Sequence, residues 1–363
     1  MGGLILSFIF YNIIVWLIYK HYKRGEYYIS KINLFYYTML FIAFGTYGNH
    51  LGDYWRINEL VELYGNTPTF DIGRAMEEQY FLLAKLVHGN YVLWRLSIST
   101  ITFVGFAFFL KKAEMDNYPT LMLFATLCLF WTAGHRGWWG YIYYFFGIYL
   151  FFKKSNPIYL LIAGLSYFSH SSTILLLALL PVSFFRFNKY VAFALMIGLS
   201  LAIGILQEGF NDIAANGMEN EYYSQKIESY SSQTANNFFG SSIGEYIQSF
   251  FGLVPKYLFM FYMGKLLLFD SSFRYQMSKE QNAVTNVSFI LFVVSIIAYF
   301  MDLGSGTIAY RILTMSTFPI LILSQYVLVG NYKKYRPRMN LWFFLSIEFT
   351  YIFSIYYAHV HGI

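Results

Sequence analysis

Two polar motifs interrupt long apolar stretches of the sequence, and both carry side chains that can hold anions or move protons. They are Gly134-His135-Arg136-Gly137-Trp138-Trp139 and Ser169-His170-Ser171-Ser172. Arginine presents a planar fork of donors that suits phosphate oxygens, and a neutral imidazole can take a proton from a hydroxyl. Ionisable groups at membrane depth are costly and commonly face a cavity or a functional site. Arg136 and His170 are therefore the leading candidates for catalytic residues.

Each motif also has a purely structural explanation. An arginine in a short loop at the membrane surface can extend its charge into water at little cost, which would account for Arg136. His170 would share one helix face with Ser166 and Thr173, and neighbouring hydroxyls can satisfy a histidine where two helices pack. The sequence alone leaves both explanations open.

The remaining candidates are residues suited to binding or activating a charged or sugar-like ligand. Asp53 is a third catalytic candidate, because a carboxylate can orient or deprotonate a hydroxyl. The substrate-binding candidates are Arg95, Arg311, Tyr310, His135, Trp138, Glu77 and Glu78. No group of His, Asp and Glu has the spacing of a metal site, so we expect neither a required metal nor another cofactor.

Composition predicts an all-α polytopic integral membrane protein. Of the 363 residues, 57% are hydrophobic and only 12% are charged, and mean hydropathy is +0.46. Several apolar runs approach the ~20 residues that a spanning helix needs. The single cysteine, Cys128, excludes a disulfide framework, and the absence of Walker A and dinucleotide-binding motifs argues against ATP-driven transport by this chain. The net charge of +6 fits membrane orientation better than nucleic-acid binding.

Hydropathy predicts ten spans within one transmembrane domain over residues 1–363. They cover about 4–19, 32–47, 91–110, 118–133, 137–152, 190–206, 245–268, 284–301, 311–329 and 341–358. The run 157–185 is too long for one straight span and short for two. Basic residues flank both of its ends, which favours a tight or re-entrant pair of helices with His170 near the outer tip. The total is then about 11–12 helices; one long tilted helix is the alternative.

The distribution of Lys and Arg sets the predicted orientation. Seventeen of the 25 fall in segments assigned to the cytoplasm, where basic residues gather in membrane proteins. The other eight run against this rule and require a separate explanation. They are Arg56, Arg74, Lys85, Arg95, Arg136, Lys226, Lys256 and Arg311.

Two segments on the outer side are large. The first, 48–90, is polar, and apolar residues recur at helical spacing over 74–87, which predicts an interfacial amphipathic helix. The second, 208–243, is rich in Asn, Ser, Glu and Tyr without an apolar period. We expect it to be a mobile loop that could act as a lid.

Five separated pieces of the sequence resemble the EpsG-like members of the Wzy polysaccharide polymerases, bacterial membrane proteins that join lipid-linked repeat units. The pieces are Gly52-Asp53-Tyr54-Trp55, Glu77-Glu78-Gln79-Tyr80-Phe81-Leu82-Leu83, His135-Arg136-Gly137, Phe168-Ser169-His170-Ser171-Ser172 and Tyr310-Arg311. The five pieces occur in the same order as in the family and with matching spacing, and the resemblance extends over most of the chain. The sequence departs from the family at Trp138 and Trp139, which stand where it has small residues.

The resemblance implies a GT-C-like membrane fold in the bacterial cytoplasmic membrane, with the active site facing the periplasm or the extracellular side. The implied substrate is an undecaprenyl-diphosphate-linked oligosaccharide, and a flippase and a chain-length regulator are the implied partners. Metal-independent, inverting glycosyl transfer would follow from arginines binding the diphosphate and His170 or Asp53 acting on the acceptor hydroxyl.

Two other classes of function fit the same composition. The first is another membrane transferase, such as an O-antigen-ligase-type glycosyltransferase that moves a finished glycan, or an acyltransferase. The second is a flippase or transporter of lipid-linked glycans, which should carry paired repeats and charges spread through the bilayer midplane. The unusual charges here collect toward one side, which favours chemistry at the surface over translocation.

Overall fold

The computed structural model is helical throughout the part of the chain that it describes. That part comprises residues 2–48, 54–67, 78–130, 137–170, 173–185, 277–300, 312–316, 321–322 and 336–361, with scattered positions in 190–201 and 254–270 and at 319. No strand occurs within these ranges; a single β-bridge joins Tyr28 to Asn117. The expected all-helical character of the chain is therefore confirmed for these residues.

The chain divides into two compact units, and the first consists of Met1–Ala178 with Leu321–Ile363. The short π-helical turns Phe44–Gly48 and Ala125–Leu129 each extend a helix of this unit, and the 3₁₀ turn Ser166–Phe168 extends a third. The helices of this unit are α1 (Gly2–Lys23), α2 (Lys31–Ala43), α3 (Tyr54–Asn66), α4 (Glu78–Leu86), α5 (Tyr91–Ala113), α6 (Tyr118–Phe124), α7 (Trp138–Lys154), α8 (Ile158–Leu165), α9 (Thr173–Ala178) and α11 (Arg336–His361).

The second unit, Leu179–Ile320, contains α10 (Lys279–Phe300) and the 3₁₀ segment Leu180–Phe184. Asn282 and Asn286 of α10 both donate side-chain hydrogen bonds to the carbonyl oxygen of Phe185, the first over 3.1 Å. Ser288 donates to the carbonyl of Ser316 over 2.7 Å. These polar contacts hold an otherwise apolar helix to its neighbours within the unit.

Asparagine and serine side chains fix where several helices begin. Asn90 accepts a hydrogen bond from the Leu93 amide at the start of α5, and Ser30 does the same for Asn33 at the start of α2. Asn117 caps α6 ahead of a proline in the first turn. Such caps satisfy amides that have no partner inside the helix, so the boundaries follow from the local sequence.

Three helices are long and apolar enough to cross a bilayer: α1, α5 and residues 279–298 of α10. They cover the predicted spans 4–19 and 91–110 and most of 284–301. Helices α2, α6, α7 and α11 coincide with further predicted spans. Most of 190–206, 245–268 and 311–329 lies outside the described residues, so the total of 11–12 spans and the GT-C-like arrangement remain predictions.

The first unit has two chemically different ends, joined by α7. At one end Lys153 donates to Glu114, with 2.9 Å between Nζ and Oε2, and this contact lowers the pKa of the Glu114 carboxyl. At the other end Trp139 contacts Tyr80. The 17 residues of α7 span about 25 Å at 1.5 Å per residue, which separates the two ends.

Glycines allow α7 to lie unusually close to its neighbours. A Cβ built on Gly147 would lie 2.8 Å from the carbonyl oxygen of Tyr159 and 2.9 Å from the Ala163 amide nitrogen. One turn of α5 makes a similar approach, because a Cβ on Gly105 would lie 2.6 Å from the Tyr143 hydroxyl oxygen. Small residues that let backbones approach are the usual basis of helix packing in membranes.

The first outer segment is more structured than the sequence analysis predicted. Helix α3 was missed there, although Ile57, Leu60, Val61 and Tyr64 stand at helical spacing. Part of the helix predicted over 74–87 is present as α4, over Glu78–Leu86, and its interfacial position stays a prediction. Not all of its apolar residues pack on the protein. Tyr80, Phe81 and Ala84 are buried on the first unit, whereas Leu86 is 76% exposed.

We expect Gly147→Ala to destabilise the protein and Gly164→Ala to leave it intact. The new methyl group at 147 must displace backbone atoms of α8, and overpacking of this kind costs about 1–3 kcal/mol. At 164 no atom lies within 4 Å of the new methyl group, so replacing a helical glycine should add up to about 1 kcal/mol of stability.

Thermal unfolding of both variants in detergent, followed by intrinsic fluorescence, measures this difference. Equal stability of the Gly147→Ala variant and the wild-type protein would contradict the close packing of α7 on α8.

Candidate functional site

The run 157–185 is broken in the middle, at the position of His170. Helix α8 ends at Leu165, a 3₁₀ turn covers Ser166–Phe168, and His170 is outside any helix before α9 begins at Thr173. We call residues 166–170 the helix break. The sequence was compatible with either one long helix or two helices in this run, and the structure has two helical segments.

Two buried hydroxyl side chains donate hydrogen bonds to backbone carbonyls at the helix break. Ser169 donates to the carbonyl of Ser166 over 2.7 Å. Thr173 donates to the carbonyls of Ser166 and His170, at 2.9 and 2.6 Å. Ser166, Ser169 and Thr173 have no exposed side-chain surface, so water cannot replace these bonds. Because an unsatisfied carbonyl is costly in an apolar environment, the polar sequence around His170 makes the break possible.

The helix break packs directly on the start of α7. A Cβ built on Gly140 would lie 1.8 Å from the Ser169 hydroxyl oxygen, and one on Gly137 would lie 3.2 Å from the Cβ of His170. His170 is half-buried at this contact. The two polar motifs of the sequence therefore meet in space, at Gly137 and His170.

Tyr80 of α4 links the outer segment to both motifs. Its hydroxyl donates to the carbonyl oxygen of Ser169 over 2.6 Å and accepts from the indole nitrogen of Trp139 over 3.0 Å. Its own carbonyl accepts from the indole nitrogen of Trp94 over 3.2 Å. Next to it, Gln79 donates to the carbonyl of Phe168. Helix α4 is thus fixed onto the residues that surround His170.

An apolar cluster holds this arrangement in place. Its fully buried members are Val61, Tyr64, Tyr80, Phe81, Ala84, Trp94 and Ile98, which belong to α3, α4 and α5. Lys85 of α4 lies over the Phe81 ring, with 4.8 Å between Nζ and the ring centroid. The outer segment is consequently a packed layer on the helix bundle in its described parts, and this rigidity suits a binding site.

Arg95 is buried in α5, one residue after Trp94. Only 2% of its surface is exposed, and its guanidinium carbon lies 5.7 Å from the centroid of the Tyr91 ring. A cation over an aromatic face is stabilised electrostatically, and more strongly when it is shielded from water. The role of Arg95 as a substrate-binding residue, for which the sequence made it a candidate, stays a prediction.

Trp138, one of the predicted substrate-binding residues, is buried in the structure. It is only 9% exposed and contacts Tyr141 edge-on, with 5.5 Å between the ring centroids. Its role in substrate binding stays a prediction. The next residue, Trp139, donates a hydrogen bond to the Tyr80 hydroxyl.

Several predicted site residues lie outside the described residues. These are Asp53, Glu77, His135, Arg136, Tyr310 and Arg311; Glu78 begins α4, and its side chain is not described. Arg136 precedes Gly137 in the chain, so an arginine directly adjoins the glycine that contacts His170. Within the described ranges, no group of three or more His, Cys, Asp or Glu side chains could hold a metal ion.

Sequence analysis missed Tyr80, Trp94, Trp139 and Gln79 as parts of the site. Tyr80 and Gln79 belong to a piece of the family resemblance, but only its carboxylates were taken as candidates. The sequence did carry a signal for the aromatic residues among them. Tyr and Trp, which join a polar group to an aromatic ring, stand at the outer ends of predicted spans. Such side chains need a hydrogen-bond partner when they are buried.

Comparison with known proteins gave no match. No protein-family model, no curated protein and no solved structure matches this chain.

We expect Tyr80→Phe to destabilise the packing of α4 on the helix break. The change removes the donor to Ser169 and leaves the Trp139 indole without its acceptor, a loss worth about 1–3 kcal/mol. Tyr144→Phe is the matched control, because the Tyr144 hydroxyl is buried in α7 without a hydrogen-bond partner. Removing that hydroxyl should leave stability unchanged or raise it.

Thermal unfolding and limited proteolysis of α4 in both variants measure this. Identical behaviour of the two variants would contradict a specific role for the Tyr80 hydroxyl.

Proposed function

We propose that this chain is a polysaccharide polymerase that joins oligosaccharide repeat units carried on undecaprenyl diphosphate. One observation carries the proposal: three of the five sequence pieces that resemble the Wzy family meet around the helix break. Gln79 and Tyr80 bind Phe168 and Ser169, and Gly137 packs on His170. Tyr80 and Ser169 are 89 residues apart in the sequence, and Gly137 and His170 are 33 residues apart.

The proposed reaction needs cations where the leaving diphosphate gains charge. In such a transfer the acceptor hydroxyl oxygen bonds to the anomeric carbon, and the electron pair of the broken carbon–oxygen bond leaves with the diphosphate. Arg136 and Arg311 are proposed to bind the diphosphate oxygens, with Arg95 as a third cation. Fixed charges that face developing charge in a site shielded from water commonly lower a barrier by several kcal/mol.

The proton of the acceptor hydroxyl passes to His170 or Asp53 in this proposal. His170 has the better-supported position, because the helix break leaves its side chain half-buried beside Gly137 and outside any helix. Attack from the face opposite the diphosphate would invert the anomeric centre. A general base in this position typically contributes a rate factor of about 10²–10⁴.

The proposed site faces outward, away from the basic loops. His170 contacts the start of α7, whereas Lys153 and Lys154 end that helix about 25 Å away. Basic residues favour the cytoplasmic side of a membrane, so the opposite end is proposed to face the periplasm or the extracellular side of a bacterial cytoplasmic membrane. A lipid-linked substrate, a flippase and a chain-length regulator are the proposed partners there.

A flippase for lipid-linked glycans is the second candidate, and the helix break itself favours it. Interrupted helices with polar backbone at membrane depth are frequent at transport sites. Polymerisation accounts better for the packed layer of α3 and α4 against the break, because alternating access requires the two sides of a site to separate. A ligase that uses the same lipid-linked donor would differ only in its acceptor.

The test is complementation with site variants in the source bacterium after deletion of the chromosomal gene. We expect Arg136→Ala and His170→Ala to reduce polymerisation by about 100-fold or more, so that single lipid-linked repeat units accumulate. Arg136→Lys should recover part of the activity, because it keeps the charge and loses the bidentate fork. His359→Ala, an exposed histidine of α11, serves as the control.

The length distribution of lipid-linked glycan on a gel is the readout, with membrane levels of each variant checked by blot. Wild-type polymer from Arg136→Ala and His170→Ala would exclude the proposed site. Repeat units retained on the inner leaflet would identify a flippase. Full-length polymer that stays on its lipid carrier would identify a ligase.

A further inference from the structure

A groove separate from the helix break lies between α1 and α11. Its volume is about 430 Å³, and its walls are mainly aromatic and aliphatic side chains: Val15, Trp16, Tyr19, Tyr22, Leu341 and Phe344. Trp16 is 58% exposed and Leu341 55% exposed. Since α1 is long and apolar enough to span a bilayer, these open apolar walls face lipid when the helix is in a membrane.

One polar side chain in this groove has no hydrogen-bond partner among the described residues. Asn340 lines the groove and is only 5% exposed, yet neither its Oδ1 nor its Nδ2 forms a hydrogen bond with any of them. Asn12, which also lines the groove, has two: its Nδ2 donates to the carbonyl of Phe8 and to Glu348, each over 3.1 Å. A buried amide without a partner costs about 1–3 kcal/mol, so Asn340 provides an unused donor and acceptor at an apolar wall.

The antiparallel register of α1 and α11 places cations at one end of the groove. Asn12 contacts Glu348, and Ser7 contacts Tyr351. The two residue numbers in each contact add up to about 360, so each residue of α1 lies at the level of the α11 residue whose number is about 360 minus its own. Lys20 therefore lies at the level of Asn340 along the helix pair, and Lys23 lies one turn after Tyr19, which lines the groove. Lys20 also lies over the ring of Trp16, with 5.5 Å between Nζ and the ring centroid.

These cations are available for a ligand. Lys20 and Lys23 are exposed, and neither of them forms an ion pair with any described residue. The nearby carboxylate of Glu26 is already engaged by His21 and Arg24, at 2.8 and 4.0 Å. The end of the groove therefore carries uncompensated positive charge beside an apolar channel.

We propose that this groove binds an anionic glycerophospholipid of the cytoplasmic leaflet. An acyl chain lies along Trp16, Leu341 and Phe344, an ester carbonyl accepts from Asn340 Nδ2, and the phosphate meets Lys20 and Lys23. Basic pockets between membrane helices on the cytoplasmic side are suited to anionic headgroups, and each cation near such a surface contributes about 1 kcal/mol. The site lies at the basic end of the helices and is independent of His170.

Native mass spectrometry of the full-length purified protein tests this proposal. The delipidated protein is titrated with phosphatidylglycerol and, separately, with phosphatidylcholine carrying the same acyl chains. We expect a preference for phosphatidylglycerol that falls about fivefold for each cation removed, in Lys20→Gln and in Lys23→Gln. Lys112→Gln is the matched control, because Lys112 is also exposed at a helix end and lies over an aromatic ring, 5.7 Å from the Phe108 centroid, but does not line this groove.

The variant Asn340→Leu tests the contribution of the amide to lipid binding separately from that of the charged side chains. It should weaken binding of both lipids to a similar degree, because the ester carbonyl is common to them, and it leaves the apolar wall intact. Unchanged affinity for both lipids in this variant would exclude Asn340 as a ligand-binding group. Equal loss of preference in Lys20→Gln and Lys112→Gln, or no preference in the wild type, would exclude the site.

Discussion

The structure of the first unit depends on satisfying the backbone where an apolar helical run is interrupted. In an apolar environment each unsatisfied carbonyl costs several kcal/mol, so the break around His170 can exist only with internal donors. Ser169, Thr173 and Tyr80 supply them to the carbonyls of Ser166, His170 and Ser169. The outer helix α4 is therefore part of what makes the break stable, because it delivers one of these donors.

The same requirement explains why glycines face the break. A donor such as Ser169 can be buried against α7 only if the helix backbone comes close, and a Cβ at Gly140 would overlap the Ser169 hydroxyl oxygen. The packing that excludes water thus also sets the position of His170 relative to Gly137, and through the chain relative to Arg136. The close contact between the backbones and the hydrogen bonding of the buried polar groups therefore depend on each other here.

Some of this could be predicted from sequence and some could not. Apolar length located α1 and α5, and the polar residues around His170 indicated the break, because both are properties of contiguous sequence. The Tyr80 contacts could not be foreseen in the same way, since its partners Trp139 and Ser169 are 59 and 89 residues away. Helix α3 was missed because its polar face dominates the composition of the segment, although its apolar period was present.

Buried polar groups without partners have two different meanings in this protein. The Tyr144 hydroxyl is enclosed within α7 packing, with no exposed side-chain surface and no adjoining groove among those described, so it is a cost that the fold tolerates. Asn340 also has no hydrogen-bond partner among the described residues, but it lines an open apolar groove, at the end of which the lipid-binding proposal places exposed lysines. Whether an unpartnered buried group only costs stability or marks a binding site therefore depends on whether it adjoins a groove and nearby charges, more than on its burial alone.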